Sequence, residues 1–241
     1  MATIGIDNGH GFNTNGKRTP PFPDTNKVIR EWEFNHPTAR FTKTELEALG
    51  HTVIMLSDTD KDTPLEERVK IANSNKVDLI VSFHYNAYKG IWGSHGGIET
   101  LYNLGSFKGQ ALANLVQREV IQTSNLRDRG VKARSDLYLL NKTIAPAILI
   151  ECGFMDNLDE AKLMLDVNYQ IDIARATTKA IQEFLGIKAT NPIAKYENVS
   201  EWAREAWRYG VDNNIIDGND PQGICTREMV MAMIYRLKGV K

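Results

Sequence analysis

The alternation of short apolar runs with longer amphipathic segments most limits what this chain can fold into. The runs are typical of buried strands, and they occupy residues 3–7, 52–56, 78–83, 97–102, 135–140 and 146–151. Helical periodicity occupies residues 37–49, 64–75, 106–123 and 158–185, with a break near Val167 and Asn168. This alternation predicts an α/β fold, in which helices cover both faces of a mostly parallel, twisted sheet of about six strands.

Three residues with metal-binding or acid–base chemistry directly follow apolar runs. His10 lies in a glycine-rich turn after the first run, His84 follows residues 78–83, and Glu151 follows the last run. Because the carboxyl ends of parallel strands meet at one edge of a sheet, these side chains are expected to converge. Two histidines and a carboxylate are a typical ligand set for catalytic zinc.

The spacing leaves the carboxylate ligand undecided. Glu31, Glu33 and Glu151 are all candidates, and a zinc hydrolase also needs a carboxylate that takes a proton from the attacking water without binding the metal. The ligand and the base therefore compete for the same residues. A different hypothesis makes Cys152 a nucleophile with His84 as its base, although a small buried thiol is the commoner state of such a cysteine.

The connecting segments add two expectations. Residues 13–30 contain three of the eight prolines, which predicts a long loop after the first strand. Pro37 is unfavourable inside a helix, so the next helix is expected to begin near residues 35–37 or to kink there. His95 lies in a flexible glycine-rich segment and is a further candidate for lining a cleft.

The composition excludes several classes of partner and site. Lys and Arg total 29 against 30 Asp and Glu, so the chain lacks the positive charge that nucleic acids or anionic membranes attract. The two cysteines, Cys152 and Cys225, cannot form a disulfide framework or a multi-cysteine zinc site. No apolar run reaches the ~20 residues of a membrane span, and no secretory leader is evident. The sequence thus predicts a protein held in the cytoplasm.

The composition changes near residue 187. A small, polar, proline-containing segment predicts a linker over residues 188–198, between a catalytic domain (residues 1–187) and a small helical module (residues 199–241). The module contains two amphipathic patterns but is too short for a large core of its own.

Residues 2–185 resemble the zinc-dependent N-acetylmuramoyl-L-alanine amidases of the amidase 3 type. The motifs that carry the resemblance occur in the family's order: IDNGHG, EWEFN, LEERVKIANSNKVDLIVSFHYNA, GGIETLY and DRGVKARSDLYLLNKTIAPAILIECGFMDN. Two positions depart from the family pattern: Asn8 replaces a frequent proline, and Pro37 interrupts a helix that is usually continuous.

The resemblance implies a role for each site residue. His10, Glu31 and His84 correspond to the zinc ligands, with Glu31 preferred to Glu33 because it precedes Asn35 by four residues. Glu151 corresponds to the catalytic glutamate. The implied reaction is hydrolysis of the amide between N-acetylmuramic acid and L-alanine in peptidoglycan by zinc-activated water.

The C-terminal segment resembles a single S-layer-homology module, which implies binding to a cell-wall polymer or self-association. Together with the absence of a leader, this resemblance implies a bacteriophage endolysin that stays in the cytoplasm of the producing cell until it is released to the cell wall. The alternatives are a bacterial autolysin of the same activity and a wall-binding protein that has lost catalysis, the latter disfavoured by the presence of all four site residues.

Overall fold

The structure is a computed structural model and describes residues 1–187. The strands of this part are β1 (Thr3–Asp7), β2 (Thr52–Met55), β3 (Leu79–Asn86), β4 (Ile98–Asn103), β5 (Asp128–Arg134) and β6 (Ala147–Phe154). The helices are α1 (Trp32–Ala48), α2 (Leu65–Ser74), α3 (Phe107–Ser124), α4 (Tyr138–Lys142), α5 (Leu158–Leu163) and α6 (Val167–Phe184). The predicted linker (188–198) and module (199–241) lie outside the described residues, so those boundaries stay predictions. Within residues 1–187, every helix is too short or too polar to cross a membrane.

The six strands form one sheet in the order β2-β1-β3-β6-β4-β5. All neighbouring strands are parallel except β4 and β6, which are antiparallel. The predicted mostly parallel α/β sheet is therefore confirmed. The carboxyl ends of β1, β3 and β6 lie side by side at one edge, where ligands collect in folds of this class.

The two faces of the sheet are covered unequally. The long helices α1, α3 and α6 pack on one face, over a core that includes Ile6, Phe83 and Ile150. The shorter helices α2 and α4 cover the other face, over Ile80 and Leu149. Side chains of a strand alternate between the two faces of a sheet. Residue 84 therefore lies on the same face as Ile80, and residue 151 on the same face as Leu149, which is the face with the shorter helices.

The fifth strand in chain order differs from the predicted one. Residues 135–140 were predicted as a strand, but they form a turn and the start of α4, and the edge strand β5 lies directly before them. The sequence of β5, DRGVKAR, has no apolar run, and its residues are exposed or only partly buried. An edge strand of this kind gives no apolar signal because it has no deeply buried face.

Helix α1 begins earlier than predicted and contains Pro37. Proline has no N–H to donate to the carbonyl of the residue four positions earlier, Glu33. Gln170 of α6 takes that place, because its side-chain nitrogen donates to the Glu33 carbonyl at 3.2 Å and to the Met164 carbonyl at 2.7 Å. A hydrogen bond from another helix therefore compensates for the proline, a residue that usually ends a helix.

The predicted break before α6 is confirmed, since α5 ends at Leu163 and α6 begins at Val167.

Candidate metal centre and active site

The turn after β1 carries His10 to the edge of the sheet. Gly9 has a φ of +64°, and a side chain there would place its Cβ 2.7 Å from the Phe83 carbonyl and 2.8 Å from the His84 ring. Only glycine combines this backbone conformation with such a close approach. The glycine-rich turn thus brings the rings of His10 and His84 together, with their centroids 4.9 Å apart.

A buried arginine on α2 holds this turn in place. Arg68 of α2 forms an ion pair with Asp7 at 2.9 Å and also donates to the Gly9 carbonyl. Asp7 in turn accepts hydrogen bonds from the Ser82 hydroxyl and the Gly9 backbone. Because Asp7 is buried, loss of Arg68 would leave its carboxylate as an unpaired charge inside the protein. Arg68 itself has a second acidic partner, Asp62, at 2.6 Å.

Glu31 lies directly before α1 and is almost completely buried. Its Oε1 atom accepts hydrogen bonds from the backbone of Tyr85 at 3.0 Å and from the side chain of Asn35 at 3.2 Å, and lies 3.0 Å from Nδ1 of His84. The spacing of four residues between Glu31 and Asn35 therefore has a direct function, since one turn of helix places the amide against the carboxylate. These bonds orient the other oxygen, Oε2, towards His10 at 3.6 Å.

His10, Glu31 and His84 each offer one ligand atom, and these three atoms lie within 4.8 Å of one another. The nitrogen and oxygen donors are of the kind that zinc prefers. The Glu31 Oε2 atom is buried and has no hydrogen-bond partner among the described residues. A buried carboxylate oxygen left without a partner costs free energy unless a cation or a donor occupies the space beside it. The cluster is therefore suited to a metal ion.

The protonation states of His10 and Glu31 also favour metal binding. Burial, the largest influence, lowers the pKa of His10 to about 4, so its imidazole is neutral at pH 7. Burial alone would raise the pKa of Glu31, but the hydrogen bond and charge of His84, with the charge of His10, outweigh it and lower this pKa to about 2. Neutral imidazole and ionised carboxylate are the forms that bind metals.

Glu151 lies beside the cluster without belonging to it. It is paired with His84 across β3 and β6, and both residues lie within their strands, a few positions before the carboxyl ends. Burial, with a contribution from the negative charge of Glu31, raises the pKa of Glu151 to about 7. Its Oε2 atom is buried and has no hydrogen-bond partner among the described residues. A carboxyl group with a pKa near 7 is suited to accept and return a proton at neutral pH.

Two candidates from the sequence lie away from this arrangement. Glu33 accepts a hydrogen bond from the Arg30 backbone at 2.7 Å and is absent from the ligand cluster. Cys152 is fully buried, in the core on the face opposite Glu151, and burial raises the pKa of its thiol well above the ordinary value. A thiol held protonated in the core is not a nucleophile.

His95 is a structural residue of a loop near the site. Its Nε2 atom lies 2.7 Å from Asp156, a fully buried carboxylate after β6. Asp156 also accepts hydrogen bonds from the backbones of Tyr88, Lys89 and Gly90. His95, a candidate for lining a cleft, is not among the residues that line the cleft at Glu151.

The loop 13–30 forms one wall of the cleft and brings Lys17 to the site, a residue that the sequence did not indicate as a site residue. Asn15, Gly16 and Lys17 line the cleft together with Glu31, His84 and Glu151. The Lys17 ammonium group lies 3.9 Å from Glu31 Oε2. A lone lysine in a polar, proline-rich loop gives no sequence signal of a site role, because its position depends on how the loop folds.

The chain is similar to known proteins over most of the residues that the structure describes. A profile of the N-acetylmuramoyl-L-alanine amidase family matches residues 4–183. The uncharacterized protein YqiI of Bacillus subtilis is 30% identical over 185 residues, covering 76% of this chain and 84% of YqiI. The endolysin of Bacillus phage SPP1 is 29% identical over 188 residues, covering 77% of this chain and 66% of that protein.

Solved structures show the same fold. The crystal structure of the N-acetylmuramoyl-L-alanine amidase from Clostridium difficile 630 superposes with a TM-score of 0.70 at 29% identity, covering 78% of this chain and 98% of that one. The sheet with its helices, the order of the motifs and the matched length together identify the chain: it belongs to the Amidase_3 family of N-acetylmuramoyl-L-alanine amidases.

Proposed function

We propose that this chain is a zinc-dependent peptidoglycan hydrolase that cleaves the amide between the lactyl group of N-acetylmuramic acid and L-alanine. The observation that carries the proposal is the convergence of His10, Glu31 and His84 within 4.8 Å, next to a carboxyl group on the adjacent strand that has a raised pKa. Three ligands and a separate base are what a zinc hydrolase requires.

Each residue has a defined task in this reaction. His10, Glu31 and His84 hold the metal, and the hydrogen bonds to Glu31 Oε1 keep its other oxygen directed at the site. A zinc ion bound there would lower the pKa of a water molecule towards about 7 and polarise the scissile carbonyl. Glu151 takes the proton from the attacking water and gives it to the departing amine of L-alanine.

Digestion of purified sacculi tests this function directly. Free amines and reducing sugars are measured in parallel, and the metal content of the protein is determined. We expect one zinc per chain, amine release without new reducing ends, and inactivation by a chelator that added zinc reverses. Reducing ends without amine release would show a glycosidase and refute the proposal.

We further propose that the biological role is phage-mediated lysis, with the protein held in the cytoplasm until it is released to the wall. The similarity to the endolysin of phage SPP1 supports this role. On expression in a susceptible host, the culture is expected to stay turbid until the membrane is permeabilised and then to clear. Clearing without permeabilisation would favour the alternative of an exported bacterial autolysin.

The last part of the proposal concerns residues 199–241, which we assign to attachment to a cell-wall polymer or to self-association. Support comes from the complete set of site residues within residues 1–187. Truncation after Ile187 is expected to leave turnover of a small muramoyl-peptide within a few-fold of the full chain, while binding to whole walls falls because a second attachment point raises the effective concentration. Equal wall binding by both proteins would refute this role.

A further inference from the structure

A row of charged residues crosses the sheet beyond the catalytic carboxylate. His84 on β3 is paired with Glu151 on β6, and Glu151 is paired with Glu99 on β4. Residues paired across strands point to the same face, so all three side chains lie on the face that carries the site. The row continues onto β5, where Arg129 and Lys132 both contact Glu99.

The outer end of this row carries an excess of positive charge. Glu99 is buried, and its Oε2 atom accepts hydrogen bonds from Arg129 at 2.7 Å and from Lys132. In these ion pairs one carboxylate faces two cations, so the three groups together carry a net charge of about +1 by their ordinary ionisation. The buried Glu160 carboxyl group also interacts electrostatically with Arg129, whereas Lys132 has no such second acidic partner among the described contacts. The side chains of Arg129 and Lys132 remain 25% and 42% exposed, so both are accessible to a ligand.

The cationic pair is held in place and is connected to the catalytic cleft. The Arg129 guanidinium lies over the Phe154 ring, 4.8 Å from its centroid. Asn86 lines the cleft together with Glu151 and reaches the second oxygen of Glu99 at 3.4 Å. A substrate bound at Glu151 and extended across the strands would therefore reach this pair.

Strand spacing gives the distance from the reacting bond. Neighbouring strands lie about 4.8 Å apart, so β5, two strands beyond β6, places its cations roughly 10 Å from Glu151. An extended peptide advances about 3.4 Å per residue, which corresponds to the second or third residue after the scissile amide. The sugar side of that amide carries no free carboxylate there, because the lactyl carboxyl group forms the amide itself.

We propose that Arg129 and Lys132 form a subsite for a free carboxylate on the residue that follows L-alanine, the second residue on the peptide side of the scissile amide. The inference rests on the proposed peptidoglycan amidase function and adds a preference for acidic over amidated stem peptides. Charge-assisted hydrogen bonds from these two side chains provide the discrimination. The same charges orient the peptide towards β5 and therefore direct the glycan towards β1 and β2.

The test compares two soluble muramoyl-peptides that differ only in the residue after L-alanine, which carries either a free carboxylate or a carboxamide. The zinc-loaded full chain is expected to cleave the acidic peptide with about tenfold higher kcat/KM, mainly through KM, as one charged hydrogen bond would give. Lys132→Gln should remove most of this preference by slowing the acidic substrate alone, while Arg129 keeps Glu99 paired. Lys108→Gln is the matched control, since Lys108 is exposed on α3 after the other end of β4.

The possible failures are distinguishable. Equal cleavage of both peptides by the unsubstituted protein, or equal slowing of both by Lys132→Gln, would overturn the subsite and leave the amidase function intact. Cleavage of neither peptide, by a protein whose folding and zinc content are verified, would overturn the proposed function and the subsite with it. Binding of the free acidic and amidated product peptides, measured by calorimetry, provides a readout that does not depend on turnover.

Discussion

His84 and Glu151 are paired on adjacent parallel strands, at the last matched position before the β3–β6 register shifts by one residue. This pairing places a metal-ligand candidate and a base candidate side by side on one face of the sheet. The ring of His84 contacts Glu31, whereas Glu151 Oε2 has no hydrogen-bond partner among the described residues. The pairing therefore separates the two tasks that the sequence pattern left competing for the same carboxylates.

The separation predicts the behaviour of Glu151→Gln. The amide has the size of the carboxyl group but cannot accept the proton, so the rate should fall by about 10² to 10⁴ while zinc stays bound. The measurements are turnover of a muramoyl-peptide and metal content of the same preparation. Cys152→Ala is the control in β6 and should keep nearly full activity; an inactive, zinc-loaded cysteine variant would contradict the assignment.

Substitutions of Glu31 and Glu33 should differ in their effect on the zinc content of the protein. Glu31→Gln removes the charge of the carboxylate nearest to both histidines, so zinc and activity should be lost together. Glu33→Gln changes a side chain whose hydrogen bond among the described contacts is to the Arg30 backbone, so it should retain most of both. Zinc content of the two dialysed variants checks this, and equal content would show that the ligand is wrongly assigned.

Much of this arrangement is predictable because its elements are buried. β1, β3 and β6 have continuous apolar runs that end near His10, His84 and Glu151, so the pattern alone brings these residues to one edge. Edge strand β5 has no such run, and for this reason the Arg129 and Lys132 pair cannot be located from the sequence pattern. The position of Lys17 depends on the path of a proline-rich loop, which neither periodicity nor propensity determines.

Asp156 should make the loop 87–96 dependent on pH. Burial would raise the pKa of Asp156, but hydrogen bonds from His95 and from the Tyr88, Lys89 and Gly90 backbones hold it below its ordinary value of 3.8. Since the folded pKa is lower than the unfolded one, the stabilisation is complete well above pH 3.8 and is lost as the pH falls through the folded pKa. Asp156→Asn should therefore lower the free energy of unfolding by about 2 kcal/mol at pH 7, and by progressively less as the pH falls below 3.8.

Urea unfolding of both proteins at several pH values measures this difference. The matched control is Asp159→Asn, because Asp159 is exposed and bonds Lys162 only at the surface. A difference between the Asp156 variant and the parent that stays constant from pH 7 to pH 3 would show that the charge of Asp156 is not what holds the loop.

The last prediction concerns Pro37 and Gln170. The Gln170 side chain compensates for the hydrogen bond that Pro37 cannot form in α1, the helix that follows Glu31. Gln170→Leu leaves the Glu33 and Met164 carbonyls without their side-chain donor, and each buried carbonyl left unpaired costs about 1 to 3 kcal/mol. In a Pro37→Ala background the new backbone N–H at position 37 can donate to the Glu33 carbonyl, as in an ordinary helix. In that background Gln170→Leu should lower the free energy of unfolding by about 1 kcal/mol less, the size of coupling expected for residues that share a partner.

This coupling is measured from the unfolding free energies of the parent, the two single variants and the double variant. Gln110→Leu, on the exposed surface of α3, is the control for the substitution itself. Additive effects would mean that the Glu33 carbonyl does not depend on Gln170, and that α1 tolerates Pro37 for another reason.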